Sequence, residues 1–248
     1  MKSLALLSIS LVSTVACSSS NDHTATQNEY DDVAQQMAST AAPGSGGGEV
    51  GSMSDSLTLA LGGSLPGFAL GGSGMITGTH GGLTYSYGIT CKDVSGATMP
   101  FCTKLTNSAD IDLMWSGTLA LPNFTASLTR DGSWSIKGLQ TSQATISGSG
   151  SFTFDASVTS VFRSSTSSYH LSYDATYDAV LIDTATKLAV GGDVMYSIDG
   201  QHTVGGATSE FSIDADLAFH ADGTATLTLD GSHEYTLDLA TGLVVKVK

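Results

Sequence analysis

Glu210-Phe211-Ser212-Ile213-Asp214-Ala215-Asp216-Leu217-Ala218-Phe219-His220 decides the fold class. Phe211, Ile213, Ala215, Leu217 and Phe219 alternate with Glu210, Ser212, Asp214, Asp216 and His220. A period of two puts every apolar side chain on one face of an extended chain, the pattern of a half-buried antiparallel strand. The same alternation runs through Leu83–Cys91, Ile111–Leu121, Ile146–Phe154 and Tyr169–Tyr177. Leu57, Leu59 and Leu61, alternating with Thr58 and Ala60, read as the first strand of the series.

Turn chemistry separates these runs. Asp131-Gly132, Asp199-Gly200, Asp222-Gly223 and Asp230-Gly231 offer the positive φ angles of tight hairpins. Asp183–Lys187 and Ala240-Thr241-Gly242 read as slightly longer turns. The expectation is an all-β chain, an antiparallel meander of about ten to thirteen strands. Gly88, Gly117, Gly148 and Gly150 fall inside strands, where glycine marks bends and bulges. Strong curvature follows, giving a curved sheet, half-barrel or barrel, with a sandwich as the other way to cover one apolar face.

One short N-terminal helix precedes the strands, over residues 28–42. Asn28-Glu29-Tyr30-Asp31 resembles a capping box, and Tyr30, Val33, Ala34, Met37, Ala38 and Ala41 share a face. Pro43 and Gly44 end it. Its place is beside the domain or over one opening of the curved sheet. Residues 43–56 read as a Gly/Ser-rich flexible linker, which starts the β-domain at 57 and runs it to 248, with no second helix.

Composition narrows the partners. The chain has 248 residues, a net charge of −14 and only 9 Lys plus Arg. Such a chain repels nucleic acid and anionic membrane surfaces. At 41% hydrophobic and 13% charged residues it is built to fold.

The N-terminus carries a different signal. Lys2 is followed by an apolar run and then by Ser13-Thr14-Val15-Ala16 before Cys17, the layout of a secretory signal peptide. The apolar run is too short to span a bilayer of roughly 30 Å as a helix. With Thr14-Val15-Ala16-Cys17 in the place of the lipobox, this stretch resembles a bacterial lipoprotein precursor; Thr14 stands where such motifs usually carry leucine. The resemblance covers about the first twenty residues. It implies a signal peptide at 1–16, cleavage after Ala16, a thioether-linked lipid on Cys17 and a lipidated tether at 17–27. Ser18 in place of aspartate favours the outer membrane over the inner one. The domain would then face the periplasm or the cell surface, anchored to the membrane through Cys17.

If Cys17 takes lipid, Cys91 and Cys102 remain as a pair, expected as a disulfide in an exported protein. A redox role would call for Cys-x-x-Cys spacing, and a metal site for further ligands nearby.

The remaining residues spell no catalytic constellation. Gly46-Gly47-Gly48-Glu49-Val50-Gly51 matches a dinucleotide-binding pattern formally, but in a linker without flanking strand and helix. His23, His80, His170, His202, His220 and His233 are scattered, and His220 with Asp222 and His233 with Glu234 suit turn polarity. Asp214 with Asp216, and Asp174 with Asp178, read as solvated acidic faces. Trp115 and most strand tyrosines fall on the apolar parity and read as core, while Trp134 is another large strand aromatic. No catalytic residue, metal or cofactor is therefore expected. The sequence reads as a non-enzymatic, lipid-anchored envelope protein with a structural or interaction role. The alternative is a carrier of a lipid or other apolar ligand inside the curved sheet, and an integral outer-membrane barrel is a third reading.

Overall fold

A computed structural model describes residues 24–41, 48–71, 74–204 and 206–248. Two helices come first, α1 (Gln27–Ala41) and α2 (Gly48–Ala60). Twelve strands follow: β1 (Ala69–Leu70), β2 (Ile76–His80), β3 (Leu83–Lys92), β4 (Ser108–Leu121), β5 (Phe124–Lys137), β6 (Gln143–Thr159), β7 (Thr166–Asp183), β8 (Ala189–Val204), β9 (Ala207–Phe219), β10 (Thr224–Leu229), β11 (His233–Asp238) and β12 (Val244–Lys246). Each strand pairs antiparallel with its chain neighbours, in the order β1 to β12. β1 and β12 are not paired with each other, so the sheet is an open meander. This is the expected all-β class, with one helix more than the sequence suggested.

The alternation sets the layering. β9 runs buried and exposed by turns, with Phe211, Ile213, Ala215, Leu217 and Phe219 inward, and β7 does the same from Ser167 to Tyr177. Strand side chains of this inward parity reach the two helices, so the sheet curls around them. α1 packs against β11 and β12, and α2 against β3 and β4. α1 is buried on every side from Glu29 to Ala41.

The turns fall on two rims. α1 lies across the rim that holds the turns after β4, β6 and β10: Gln35 donates to the carbonyls of Asn123 and Thr159, and Tyr30 reaches Asp230. α2 runs toward the opposite rim. There Lys187, in the β7–β8 turn, donates to Thr58 Oγ1 at 2.8 Å. The β3–β4 loop lies on that rim too, closed by a Cys91–Cys102 disulfide with Cα atoms 5.3 Å apart. Closing a loop of that size contributes roughly 2–3 kcal/mol. We call these the α1 rim and the disulfide rim.

Curvature has local causes. The β6–β7 register shifts between Ile146 and Gly148. Gly148 has φ 158°, and a Cβ there would lie 2.1 Å from the Ser133 carbonyl oxygen. Only glycine lets β5 pass that close. β7 and β8 also lose register between Asp178 and Leu181, and the turn beyond them reaches α2 through Lys187.

Several expectations need correction. The linker expected over 43–56 is helix from Gly48 onward, and residues 43–47 lie outside the described set. Leu57 and Leu59 belong to that helix rather than to a first strand, so the sheet begins at Ala69 and not at 57. Burial outweighs the poor helix propensity of Gly and Ser here: Val50, Met53, Leu57 and Ala60 form a helical stripe that is essentially fully buried. The capping box sits earlier than read. Thr26 Oγ1 and Glu29 form it, with the Thr26 amide donating to Glu29 at 2.7 Å. Asp222-Gly223 and Asp230-Gly231 are turns, but Asp131-Gly132 lies inside β5 and Asp199-Gly200 inside β8. Those two glycines make room rather than turns. A Cβ on Gly132 would meet the Arg130 guanidinium at 2.7 Å, and one on Gly200 the Phe211 ring at 2.3 Å.

Candidate functional site

The concave face is the first place to look, and the helices fill it. Their acids meet tyrosines of the sheet. Tyr169 donates to Asp32 at 2.7 Å, Tyr235 to Asp31 at 2.7 Å, Tyr87 to Asp55 at 3.2 Å, and Tyr177 to Glu49. Tyr30 of α1 reverses the direction and donates to Asp230 at 2.6 Å. The strands place these hydroxyls through the same inward parity that buries the rings.

Cations complete the set. Arg130 of β5 lies 1% exposed at the centre of the sheet and donates twice to Glu49, at 3.1 and 2.8 Å, and to Tyr177 at 3.0 Å. Its guanidinium stacks over Trp134 at 4.6 Å and Phe152 at 5.1 Å. Burial pulls the Arg130 pKa down, but the Glu49 carboxylate and Tyr177 more than offset it, and the group stays charged. Arg163 binds Asp32 at 2.7 Å, Lys246 binds Asp31 at 3.2 Å, and His202 sits 3.2 Å from Glu29 while stacking on Tyr169. Burial raises the pKa of Tyr87, Tyr169, Tyr177 and Tyr235, and the neighbouring carboxylates push the same way. The void left between α1, Glu49, Tyr173 and Tyr196 is about 10 Å³, room for a single water-sized molecule.

A larger opening lies outside the concave core, beside α2. One part, about 480 Å³, has Leu59, Leu65, Leu70, Ile89 and Phe101 among its walls. A second, about 340 Å³, adjoins it across Leu65 and Phe68 and carries Asp55, His80 and Lys187. Phe68 lies flat on Gly78, where a Cβ would come within 2.4 Å of the ring, and it stands about 6 Å from the Tyr85 and Tyr87 rings. Burial raises the Asp55 pKa, while Tyr87, His80 and Lys187 pull it back.

The residues singled out from sequence fall elsewhere. Cys17 and His23 lie outside the described residues. Trp115, Tyr169, Tyr173 and Tyr177 are core, as their parity suggested, and Trp134 is core as well. Asp174, Asp214 and Asp216 line an open acidic hollow on the outer face with Met195. Burial and the nearby Asp193 raise the Asp216 pKa. Among the described residues, no group of three or more His, Cys, Asp or Glu side chains could hold a metal ion. His170 pairs with Asp155 on the outer face, His220 with Thr226, and His233 stacks on Tyr30. Sequence reading missed Glu49, Arg130 and the acids of α1. The available signal was an arginine on the inward parity of β5, which no surface role explains.

Comparison with protein families, with curated proteins and with solved structures finds no match to this chain.

Proposed function

We propose that the chain is an exported, lipid-anchored envelope protein, held to the membrane through Cys17, whose β-domain serves as a non-enzymatic structural or interaction module. One observation carries the reading of the domain. The concave face, where a curved sheet would hold a substrate, is taken by the protein's own helices, whose acids and cations pair with the sheet. The surface left for partners includes the outer face, rich in Ser, Thr and Asp, on a chain of net charge −14. The Cys91–Cys102 disulfide supports export, because disulfides persist in oxidising compartments.

Fractionation of the producing cell tests the anchor. The native chain is expected in the membrane fraction, with a mass that shows acylation and no residues before Cys17. Cys17→Ser is expected in the soluble fraction, unacylated, with an unchanged circular dichroism spectrum. A Cys17→Ser chain that stays with the membrane sinks the anchor reading.

A further inference from the structure

From the opening beside α2 we infer that the disulfide rim carries a binding groove for a single-chain amphiphile with a carboxylate headgroup. The tail would lie along Leu65, Phe68 and Ile89 toward Phe101, and the headgroup would meet Lys187. The site is independent of the Cys17 anchor.

Shape comes first. The two parts, about 480 and 340 Å³, share Leu65 and Phe68 as a common wall, and each falls in the size range of ligand pockets. The lips are apolar and bare, with Phe101 78% and Leu70 73% exposed. Large apolar side chains left in water around one concavity mark a place where something apolar binds. Charge then selects the headgroup. Lys92, Arg130, Arg163, Lys246 and Lys248 each have a carboxylate within ion-pair distance. Among the described residues Lys104, Lys137 and Lys187 have none, and of these three Lys187 lines the opening. Its ammonium is held by Thr58 Oγ1 at 2.8 Å at the edge of the groove, leaving donors to spare. His80 lines the same wall. On a chain of net charge −14 an anion finds few welcoming surfaces, and this groove supplies a cation in Lys187. Asp55, on the same wall, opposes a carboxylate there and is itself engaged by the Tyr87 hydroxyl, which donates to it at 3.2 Å. The Lys187–Thr58 bond, which ties the β7–β8 turn to α2, is what brings the cation to the site.

The test uses the Cys17→Ser chain purified without detergent, with the fluorescent fatty acid cis-parinaric acid as probe. Saturable one-to-one binding is expected, competed by laurate, weakly by dodecanol and least by dodecylamine. Lys187→Gln is expected to weaken laurate roughly tenfold and to leave dodecanol unchanged. Ala69→Trp, an exposed position on the groove wall, is expected to abolish binding of all three while the melting temperature holds. Absence of saturable binding, preference for the amine, or laurate affinity untouched by Lys187→Gln would each overturn the inference. None of these outcomes bears on where Cys17 holds the protein.

Discussion

Arg130 shows how one side chain commits a whole interior. A guanidinium buried this deeply is stabilised only while its carboxylate stays opposite it. Glu49 supplies that carboxylate from α2, so sheet and helix are locked at a single point. Gly132 and Gly150 keep the space beside it clear, since a Cβ at either would crowd the guanidinium. Arg130→Met is expected to destabilise the fold by about 3–5 kcal/mol, chiefly by stranding Glu49 without its cation. Adding Glu49→Gln to that variant should recover part of the loss, because a neutral amide is cheaper to bury than an unpaired carboxylate. Urea denaturation of the two single variants and the double variant measures the coupling. Strict additivity would mean that the pair does not hold the two elements together.

Among the elements, β6 owes its bend to Gly148. Gly148→Ala is expected to cost about 3 kcal/mol, because the new Cβ would need the space that the Ser133 carbonyl occupies. Gly223→Ala in the β9–β10 turn is the comparison: φ is 83° and the space is open, so about 1 kcal/mol is expected. Thermal melts of the two variants separate close approach from backbone strain. The strands were legible because alternation is a local signal, and each of Leu83–Cys91, Ile111–Leu121 and Phe211–Phe219 falls within a strand. α2 was not legible. Gly48, Gly51 and three serines mimic a linker, and Leu57, Thr58 and Leu59 mimic a strand, so only the burial of Val50, Met53 and Leu57 reveals the helix. The tyrosine hydroxyls were hidden for a related reason. Inward parity predicts that Tyr87 and Tyr177 are buried, but their acceptors, Asp55 and Glu49, sit on that unseen helix. Asp131-Gly132 and Asp199-Gly200 misled because glycine serves both turns and crowded interiors, and two residues of sequence do not tell these uses apart.

The molecule as a whole is held by phenols that must stay protonated to donate. Burial and the Asp230 carboxylate push Tyr30 up to about 12, and Tyr87, Tyr169 and Tyr235 shift in the same direction. Because the folded values lie above the unfolded value near 10, this stability is complete below about pH 10. It is lost as the pH rises through the folded values. Alkaline titration should therefore show tyrosinate absorbance and loss of the β-sheet circular dichroism signal rising together, as one cooperative step. Gradual ionisation near pH 10 with the fold intact would contradict it.

The tyrosine pairs also fix an order of assembly. Tyr30 finds Asp230 across 200 positions of chain, and Gln27 finds Tyr235 across 208. The meander itself can zip hairpin by hairpin, each strand on the one before it. α1 cannot share in that local economy, because closing so long a loop is slow and entropically costly. The earliest described segment to leave the ribosome is held midway by Asn123, Thr159 and Tyr169, and its first turn is among the last parts to be moored. A nascent chain halted at the end of β9 would hold most of the sheet around a helix still waiting for Asp230 and Tyr235.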